Sequence, residues 1–288
     1  MSTAYNIAFF GTPHFTVELL DALAANGYVP TLIVTAPNRP SGRGMKLQSP
    51  EPKVWGDQHN VTVLQPEKLD DTFFTTLSQT PWDLFIVVAY GKILPEQVIN
   101  LPRFGTINVH YSLLPHYRGA TPVESAILNG DTATGVTLQQ MTYELDSGDI
   151  LSVKKIPIAS DDTTPTLRAK LNAKALALLP KTVGQILSGT ATATPQTGSP
   201  TRCSKIKKED GFVSLSDDPL TLDRKFRAYQ PWPGIFFDTA RHGKPLRVKL
   251  TKAHLTNGVF VIDEVIPENH KRLSWERFQQ FLDSTGTL

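Results

Sequence analysis

Gly105-Thr-Ile-Asn-Val-His-Tyr-Ser-Leu-Leu-Pro-His-Tyr-Arg-Gly-Ala-Thr-Pro122 is the stretch from which the fold and the chemistry of this chain are inferred. Its first half alternates apolar and polar residues, which predicts a strand whose side chains two apart share a face. Asn108 and His110 then lie on one face, roughly 6–7 Å apart. Pro115 and Gly119 end the strand in a loop, where α/β sheets place their active sites. From this stretch alone, a second interpretation is equally supported: Asn108 and His110 form hydrogen bonds only with each other inside the core and have no catalytic role.

The composition is that of an ordinary globular protein, with 288 residues of which 40% are hydrophobic and 19% are charged. No apolar run approaches the ~18–20 residues needed to span a bilayer, and the first residues do not resemble a secretory signal. Cys203 is the single cysteine, which excludes an intrachain disulfide and a multi-cysteine metal site. We therefore expect a cytoplasmic protein with no membrane segment and no metal.

The first third of the chain predicts a parallel sheet. Tyr5–Phe10 and Val29–Val34 are short apolar runs separated by a segment with helical spacing, which is a βαβ opening. Gly11 stands alone between the first strand and the helix, so the glycine series of a dinucleotide-binding site is missing. Asp83–Ala89 is continuously apolar, as expected of a central strand covered on both faces. The predicted class is α/β.

Composition changes near residue 188. A long helix is predicted to end at Leu187, and the residues from 188 to 200 are rich in Thr, Gly and Pro, which is typical of a linker. Short β-runs follow it and predict a small β-rich, barrel-like domain. We therefore expect a main domain at 1–187, a linker at 188–203 and a C-terminal domain at 204–288.

Charge is distributed unevenly between these parts. Residues 1–200 carry 14 Lys and Arg against 16 Asp and Glu, whereas residues 201–288 carry 15 against 11, which gives −2 and +4. A basic second part suggests a polyanionic partner. An ordinary solvated surface explains an excess this small equally well.

The segment from Thr35 to Pro50 is predicted to be a long loop. It carries Arg39, Arg43 and Lys46 and no acidic residue. Long loops inside a compact domain are usually functional or disordered, and cations on such a loop suit phosphate contacts. A plain solvated loop is the alternative.

Asn108, His110 and Asp146 are the candidate catalytic residues. A carboxylate beside a histidine favours its charged form and fixes its tautomer. A histidinium and an asparagine amide on one face can stabilise an oxyanion, while the aspartate positions the histidine or moves protons. The set suits acyl transfer to an amine, and direct transfer is preferred because Ser112 and Cys203 lack the surroundings of an activated nucleophile. Donor and acceptor stay open at this point.

Several motifs resemble the 10-formyltetrahydrofolate-dependent formyltransferases. The resemblance extends over essentially the whole chain and is carried by these segments: Phe10-Gly-Thr-Pro13, Arg39-Pro-Ser-Gly-Arg-Gly44, Val87-Val-Ala-Tyr-Gly91, Asn108-Val-His-Tyr-Ser-Leu-Leu-Pro115, Arg118-Gly-Ala120, Leu145-Asp-Ser-Gly-Asp-Ile150 and Arg227-Ala-Tyr-Gln-Pro-Trp-Pro233. It implies a Rossmann-like mixed sheet with helices on both faces, followed by a barrel-like domain that grips tRNA.

The resemblance also implies a reaction and roles. A formyl group passes from the co-substrate 10-formyltetrahydrofolate to the α-amine of methionyl-initiator tRNA, in a cytoplasmic enzyme expected to be a monomer. Asn108, His110 and Asp146 are the implied catalytic residues. The implied folate contacts are Ser112, Leu113, Leu114, Pro115, Tyr90 and Gly91. The implied tRNA contacts are Arg39, Arg43 and Lys46, with Arg43 the best single candidate.

Two departures and two rival functions accompany this resemblance. Tyr111 occupies a position where many relatives have a small residue or proline, and the C-terminal domain looks short for a complete barrel. Sugar-nucleotide or glycinamide ribonucleotide formyltransferases share the chemistry but differ in acceptor, and the cationic loop and basic second domain argue against both. A non-catalytic RNA-binding protein is the rival from another class, which the intact Asn108, His110 and Asp146 set disfavours.

Overall fold

A computed structural model describes residues 5–41 and 45–283 of the chain. The chain divides into two compact units. The first comprises Met1–Pro122, Thr134–Ile156 and Ala169–Cys203. The second comprises Val123–Ala133, Pro157–Arg168 and Ser204–Leu288. The domain limits expected from composition do not include the two inner segments of the second unit and remain a prediction.

The strands in the described residues range in length from two residues to thirteen. They are β1 Ile7–Gly11, β2 Leu32–Val34, β3 Arg39–Ser41, β4 Lys46–Gln48, β5 Thr62–Leu64, β6 Leu84–Val88, β7 Thr106–His110, β8 Arg118–Gly119, β9 Ala133–Gln140, β10 Ile150–Pro157, β11 Arg202–Cys203, β12 Phe236–Arg241, β13 Lys244–Thr256, β14 Val259–Pro267 and β15 Leu273–Ser274.

The helices in the same residues alternate with the strands of the central sheet. They are α1 Thr16–Ala25, α2 Glu51–Gln58, α3 Asp71–Ser78, α4 Glu96–Ile99, α5 Pro122–Asn129, α6 Thr164–Leu187, α7 Pro219–Ala228 and α8 Trp275–Asp283, with a short 3₁₀ turn at Lys208–Gly211. Asp70 caps α3 and Asp218 caps α7 by accepting a backbone N–H three residues later.

The central sheet has seven strands in the order β10-β9-β7-β6-β1-β2-β5. β7, β6, β1, β2 and β5 are parallel, and β9 joins β7 in the antiparallel direction. The chain leaves β1 toward β2 and β5 and later returns on the other side with β6 and β7. The carboxyl ends of β1 and β6 therefore flank the switch point where open α/β sheets bind ligands. The predicted mixed, mainly parallel sheet is confirmed.

Burial explains why the central strands are apolar. Every residue of β1 and β6 is buried, which requires cover on both faces of the sheet. One core cluster combines Phe10 and Phe85 of the sheet with Phe73 and Leu77 of α3 and Val98 of α4. This packing fixes the carboxyl ends of β6 and β7, from which the candidate site is built.

The second unit contains a four-stranded antiparallel sheet in the order β12-β13-β14-β15. Helix α8 packs an aromatic face on it, with the Phe278 ring centroid 6.2 Å from that of Phe237. This confirms the predicted strand-rich C-terminal part. Among the described residues β12 and β15 are the edge strands of this sheet.

The segment from Thr35 to Pro50 is not the unpaired loop that its composition predicts. Arg39–Ser41 and Lys46–Gln48 pair as antiparallel strands, with Pro40 opposite Leu47. Each strand has only three residues, which is too short a stretch for an apolar–polar period to be recognised. The exposed Leu47 side chain distinguishes this hairpin from one packed on a core.

Tyr90 follows β6 and is buried in the core cluster of that strand. Among the described residues its hydroxyl has no hydrogen-bond partner, and burial raises its pKa from 10.0 to about 12. A raised folded-state pKa means that the neutral phenol contributes stability below pH 10, and that this contribution is lost as pH rises toward 12.

We expect Tyr90→Phe to be at least as stable as the parent chain near neutral pH, because a buried hydroxyl without a partner costs about 1–3 kcal/mol to desolvate. We also expect the variant to lose less stability than the parent above about pH 10, where the unfolded phenol ionises. Urea unfolding at neutral and alkaline pH measures both effects, with the exposed Tyr143 changed to Phe as the control. A marked loss of stability near neutral pH would mean that the hydroxyl makes a stabilising bond.

Candidate active site

Asp146 lies at the centre of a polar cluster at the carboxyl end of β7. Its Oδ1 accepts hydrogen bonds from Asn108 Nδ2 at 3.3 Å and from Gln139 Nε2 at 2.9 Å. Its Oδ2 accepts from the backbone N–H of Gly119 at 2.8 Å. The carboxylate is thus fixed by three donors from the three strands β7, β8 and β9, and its side chain is only 10% exposed.

His110 completes the cluster. Its Nδ1 lies 3.7 Å from Asp146 Oδ2, and its Nε2 lies 2.9 Å from the carbonyl oxygen of Tyr117. A carbonyl only accepts, so Nε2 carries a proton, and the other ring nitrogen faces a carboxylate. The ring therefore lies between a carboxylate oxygen and a carbonyl oxygen.

The three residues predicted to be catalytic are brought together by this arrangement. Asn108 and His110 lie on one face of β7, and both contact Asp146 from the loop after β9. In the alternative interpretation, Asn108 and His110 form hydrogen bonds only with each other. The structure differs from it, because the Asn108 amide donates to Asp146. A carboxylate joined to an amide and an imidazole can orient two hydrogen-bond donors toward one reacting carbonyl.

Backbone strain accompanies the cluster. Three non-glycine residues on the loops of the site have positive φ: Ala89 at 46°, Tyr117 at 58° and Asp146 at 50°. Such conformations typically cost about 1–3 kcal/mol each and cluster at functional sites, where the surroundings enforce them. Asp146 therefore needs support from its neighbours to hold its position.

Gln139 and Gly119 also belong to the cluster, although the sequence did not identify Gln139 and predicted Gly119 only as a residue that ends the strand. Gln139 lies directly opposite Asn108 in the β7–β9 register, so both side chains point to the same face. Gly119 has a φ of 127°, and a side chain there would collide with the carbonyl oxygen of Cys203. A glycine is thus required where the backbone N–H reaches the carboxylate.

The predicted folate segment, Ser112–Pro115, is a turn fastened to β9. The Ser112 hydroxyl donates to the His116 carbonyl at 2.6 Å, and the Thr137 hydroxyl donates to the Ser112 carbonyl at 2.7 Å. Leu114 and Pro115 are buried, and only Leu113 is half-exposed. A ligand here would meet the backbone of the turn and Leu113 rather than the other side chains.

The other predicted folate contacts, Tyr90 and Gly91, follow β6. The Tyr90 side chain is directed into the core cluster, and the Thr12 hydroxyl donates to its carbonyl at 3.2 Å. Gly91 has a φ of 84° with open space where a side chain would be. The backbone at Gly91 is therefore open, whereas the Tyr90 ring is buried, and the folate contacts at both residues remain predictions.

The predicted tRNA contacts lie on the β3–β4 hairpin. Arg39 and Lys46 are both exposed. Arg43 lies outside the described residues, so its predicted role has no structural test. The described residues contain no group of three or more His, Cys, Asp or Glu side chains arranged to hold a metal ion. Within those same ranges, each helix is too short or too polar to traverse a bilayer.

Comparison with known proteins identifies the family. A model described as formyl transferase matches residues 5–183, and a model described as its C-terminal domain matches residues 205–264. The chain belongs to the formyl transferase family. The resemblance of its motifs to formyltransferases is thereby confirmed.

Two relatives of this family member are named methionyl-tRNA formyltransferase. The protein from Thermodesulfovibrio yellowstonii is 40% identical over 88% of this chain and 81% of its own length. The protein from Syntrophus aciditrophicus is 35% identical over 98% of both chains. The formyl transferase described here thus matches 81% of the length of the first relative and 98% of the length of the second.

Solved structures of other formyltransferases share the fold. The methionyl-tRNA formyltransferase from Clostridium thermocellum superposes with a TM-score of 0.63 at 16% identity, over 91% of this chain and 98% of its own. WlaRD, a sugar 3N-formyl transferase solved with dTDP and 5-N-formyl-THF, superposes with a TM-score of 0.65 at 16% identity. The match covers 94% of this chain and 100% of the WlaRD chain. At such identity the likeness concerns architecture, so the acceptor must be inferred from other observations.

Proposed function

We propose that this chain is a methionyl-tRNA formyltransferase, which moves a formyl group from 10-formyltetrahydrofolate to the α-amine of methionyl-initiator tRNA in translation initiation. The observation that carries the proposal is the Asp146 carboxylate joined to Asn108 and His110, in a chain whose full-length relatives bear that name. Because the acceptor is a charged tRNA, we place the enzyme in the cytoplasm and expect a monomer.

The chemistry follows from the donors of the site. The amine nitrogen attacks the formyl carbon, and the carbonyl oxygen gains negative charge as the new C–N bond forms. We propose that Asn108 and His110 donate to this oxygen. His110 does so by exchanging the Tyr117 carbonyl, now at 2.9 Å, for the formyl oxygen.

Asp146 has two roles in this proposal. It orients the amide of Asn108, and its negative charge stabilises the imidazolium of His110. The same carboxylate accepts the proton that the attacking amine loses, and it returns this proton to folate N10 as the bond from the formyl carbon to N10 breaks. One C–N bond forms to the amine and one C–N bond to folate N10 breaks, so the transfer needs no covalent enzyme intermediate.

The folate co-substrate fits the backbone at the switch point. We propose that the turn Ser112–Pro115 and the backbone at Gly91 hold it. The buried side chains of Tyr90, Leu114 and Pro115 shape these segments from below. The open space at Gly91 supports this assignment.

A formylation assay with competing acceptors tests the function. The parent chain is supplied with 10-formyltetrahydrofolate and either methionyl-initiator tRNA or a sugar-nucleotide amine. We expect at least about a hundredfold higher kcat/KM for the tRNA, because only tRNA offers a polyanion to the cationic parts of the chain. Equal or better use of the sugar nucleotide would contradict the proposed acceptor. Light scattering of the same preparation tests the monomer.

We expect the simultaneous change of Arg39 and Lys46 to Ala to raise the KM for tRNA about tenfold and leave kcat within a factor of two. Each lost phosphate contact lowers the dependence of log affinity on log salt by about 0.7–0.9. Steady-state kinetics at several salt concentrations measure both effects. Arg103→Ala is the matched control, since that exposed arginine precedes β7 at the amino ends of the parallel strands. Unchanged tRNA kinetics in the double variant would remove this hairpin from tRNA binding.

A further inference from the structure

The end of the Thr- and Gly-rich segment that composition assigns to a linker is fastened to the active-site loops. Thr194 exchanges two backbone hydrogen bonds with Ile150, at 2.8 and 2.9 Å. Further on, β11 pairs in parallel with β8, so that Cys203 lies opposite Gly119. The stretch between these two anchors is therefore held in place at both ends.

Gln196 lies in this stretch and uses both ends of its amide. Its Nε2 donates to the carbonyl oxygens of Asp146 and Gly148, each at 2.8 Å. Its Oε1 accepts from the guanidinium of Arg118, at 2.8 Å from one terminal nitrogen and 3.2 Å from Nε. An amide NH₂ has two protons and a carbonyl oxygen has two lone pairs, so each donor and each acceptor of this side chain forms a hydrogen bond.

These bonds join the two loops that form the Asp146 pocket. Gln196 holds the backbone of the Asp146 loop and the Arg118 side chain, while Gly119 beside Arg118 donates its N–H to the Asp146 carboxylate. The Asp146 backbone is in the left-handed region, which few non-glycine residues adopt without enforcement. Gln196 supplies such enforcement through its hydrogen bonds to the backbone carbonyls of Asp146 and Gly148.

We propose that Gln196 is a positioning residue for formyl transfer, which holds Asp146 in the strained conformation that directs its carboxylate to Asn108 and His110. This inference rests on the proposed function, because formyl transfer is the reaction whose rate Gln196 is expected to affect. It assigns a part in the chemistry to the segment that composition predicts to be a linker, and this part is exerted through Asp146 and not through contact with substrate.

Two substitutions distinguish the contribution of the Gln196 NH₂ group from that of its carbonyl oxygen. Gln196→Met keeps the length and removes every hydrogen bond, whereas Gln196→Glu keeps an acceptor for Arg118 and removes the donors to Asp146 and Gly148. We expect both variants to lower kcat about 30-fold with both KM values within threefold, since each neutral hydrogen bond contributes about 1 kcal/mol. Thr197→Ala, an exposed neighbour, is the control and should behave as the parent.

The outcomes that overturn the inference are distinct. Parental kcat in Gln196→Glu, with a loss only in Gln196→Met, would mean that the Arg118 contact matters and the support of Asp146 does not. A fall in kcat with a matching rise in the KM for tRNA would indicate a binding role. A large drop of Tm in both variants, beyond a few degrees, would indicate a general structural role.

Hydrogen exchange gives a readout that does not depend on the acceptor. The Gly119 amide donates to Asp146 Oδ2, so it should exchange faster in both Gln196 variants and at the parental rate in Thr197→Ala. If the parent chain formylates a sugar nucleotide and not tRNA, the proposed function fails while the Gln196 effect is measured on that acceptor. Unchanged exchange at Gly119 overturns the inference in either case.

Discussion

Asp146→Asn is expected to lower the kcat of formyl transfer about a thousandfold, with tRNA and folate affinities within threefold of the parent. The substitution keeps the shape of the side chain and removes its charge. The three donors around the carboxylate make the loss severe: Asn108 and Gln139 donate to one oxygen, and the Gly119 N–H donates to the other. Asparagine has an NH₂ group in place of one carboxylate oxygen. This NH₂ group would face N–H donors from which it cannot accept a hydrogen bond, so asparagine cannot reproduce the network.

The measurement is single-turnover formylation of charged initiator tRNA, with tRNA binding followed separately by filter retention. Asp161→Asn is the matched control, because the same substitution there removes one negative charge from an exposed side chain outside the cluster. We expect the control to keep at least half of the parental rate. If Asp146→Asn retains more than about a tenth of the parental kcat while folding normally, Asp146 has no part in the mechanism.

The sequence predicted the fold because its main signals are local. β1 and β6 are uninterrupted apolar runs, and Gly11 lacks the companions that a dinucleotide site needs. The β3–β4 hairpin escaped prediction since strands of three residues carry no period. Its pairing depends on hydrogen bonds between backbone segments that sequence patterns do not encode.

The candidate site was predictable in part for a related reason. Alternation along β7 places Asn108 and His110 on one face, and Asp146 is the acid of a nearby loop. Gln139 could not be identified because its position depends on the register between β7 and β9. Gln196 was hidden by composition: Thr, Gly and Pro around it predict a linker, whereas its partners are more than forty residues away in sequence. Residues that contact strand ends are found from patterns, and residues that support them are found from tertiary structure.

The second large effect is expected at His110. His110→Gln should lower kcat about 10²–10³-fold, the usual cost of removing one donor to an oxyanion. The ring is buried between Asp146 and the Tyr117 carbonyl, and a glutamine amide carries no positive charge to offset the carboxylate. His116→Gln, an exposed histidine on the following loop, is the matched control and should keep parental kinetics. Thermal unfolding of both variants separates loss of fold from loss of chemistry.

The double variant decides whether Asp146 and His110 act together. If the carboxylate works chiefly by stabilising the imidazolium, removing both side chains should cost little more than removing Asp146 alone, because residues that act as a unit are strongly non-additive. Comparing kcat for the parent, the two single variants and the double variant gives the coupling between them. Fully additive losses would mean that Asp146 serves the attacking amine or Asn108 independently of His110, and the ion pair at 3.7 Å would then have no share in the rate.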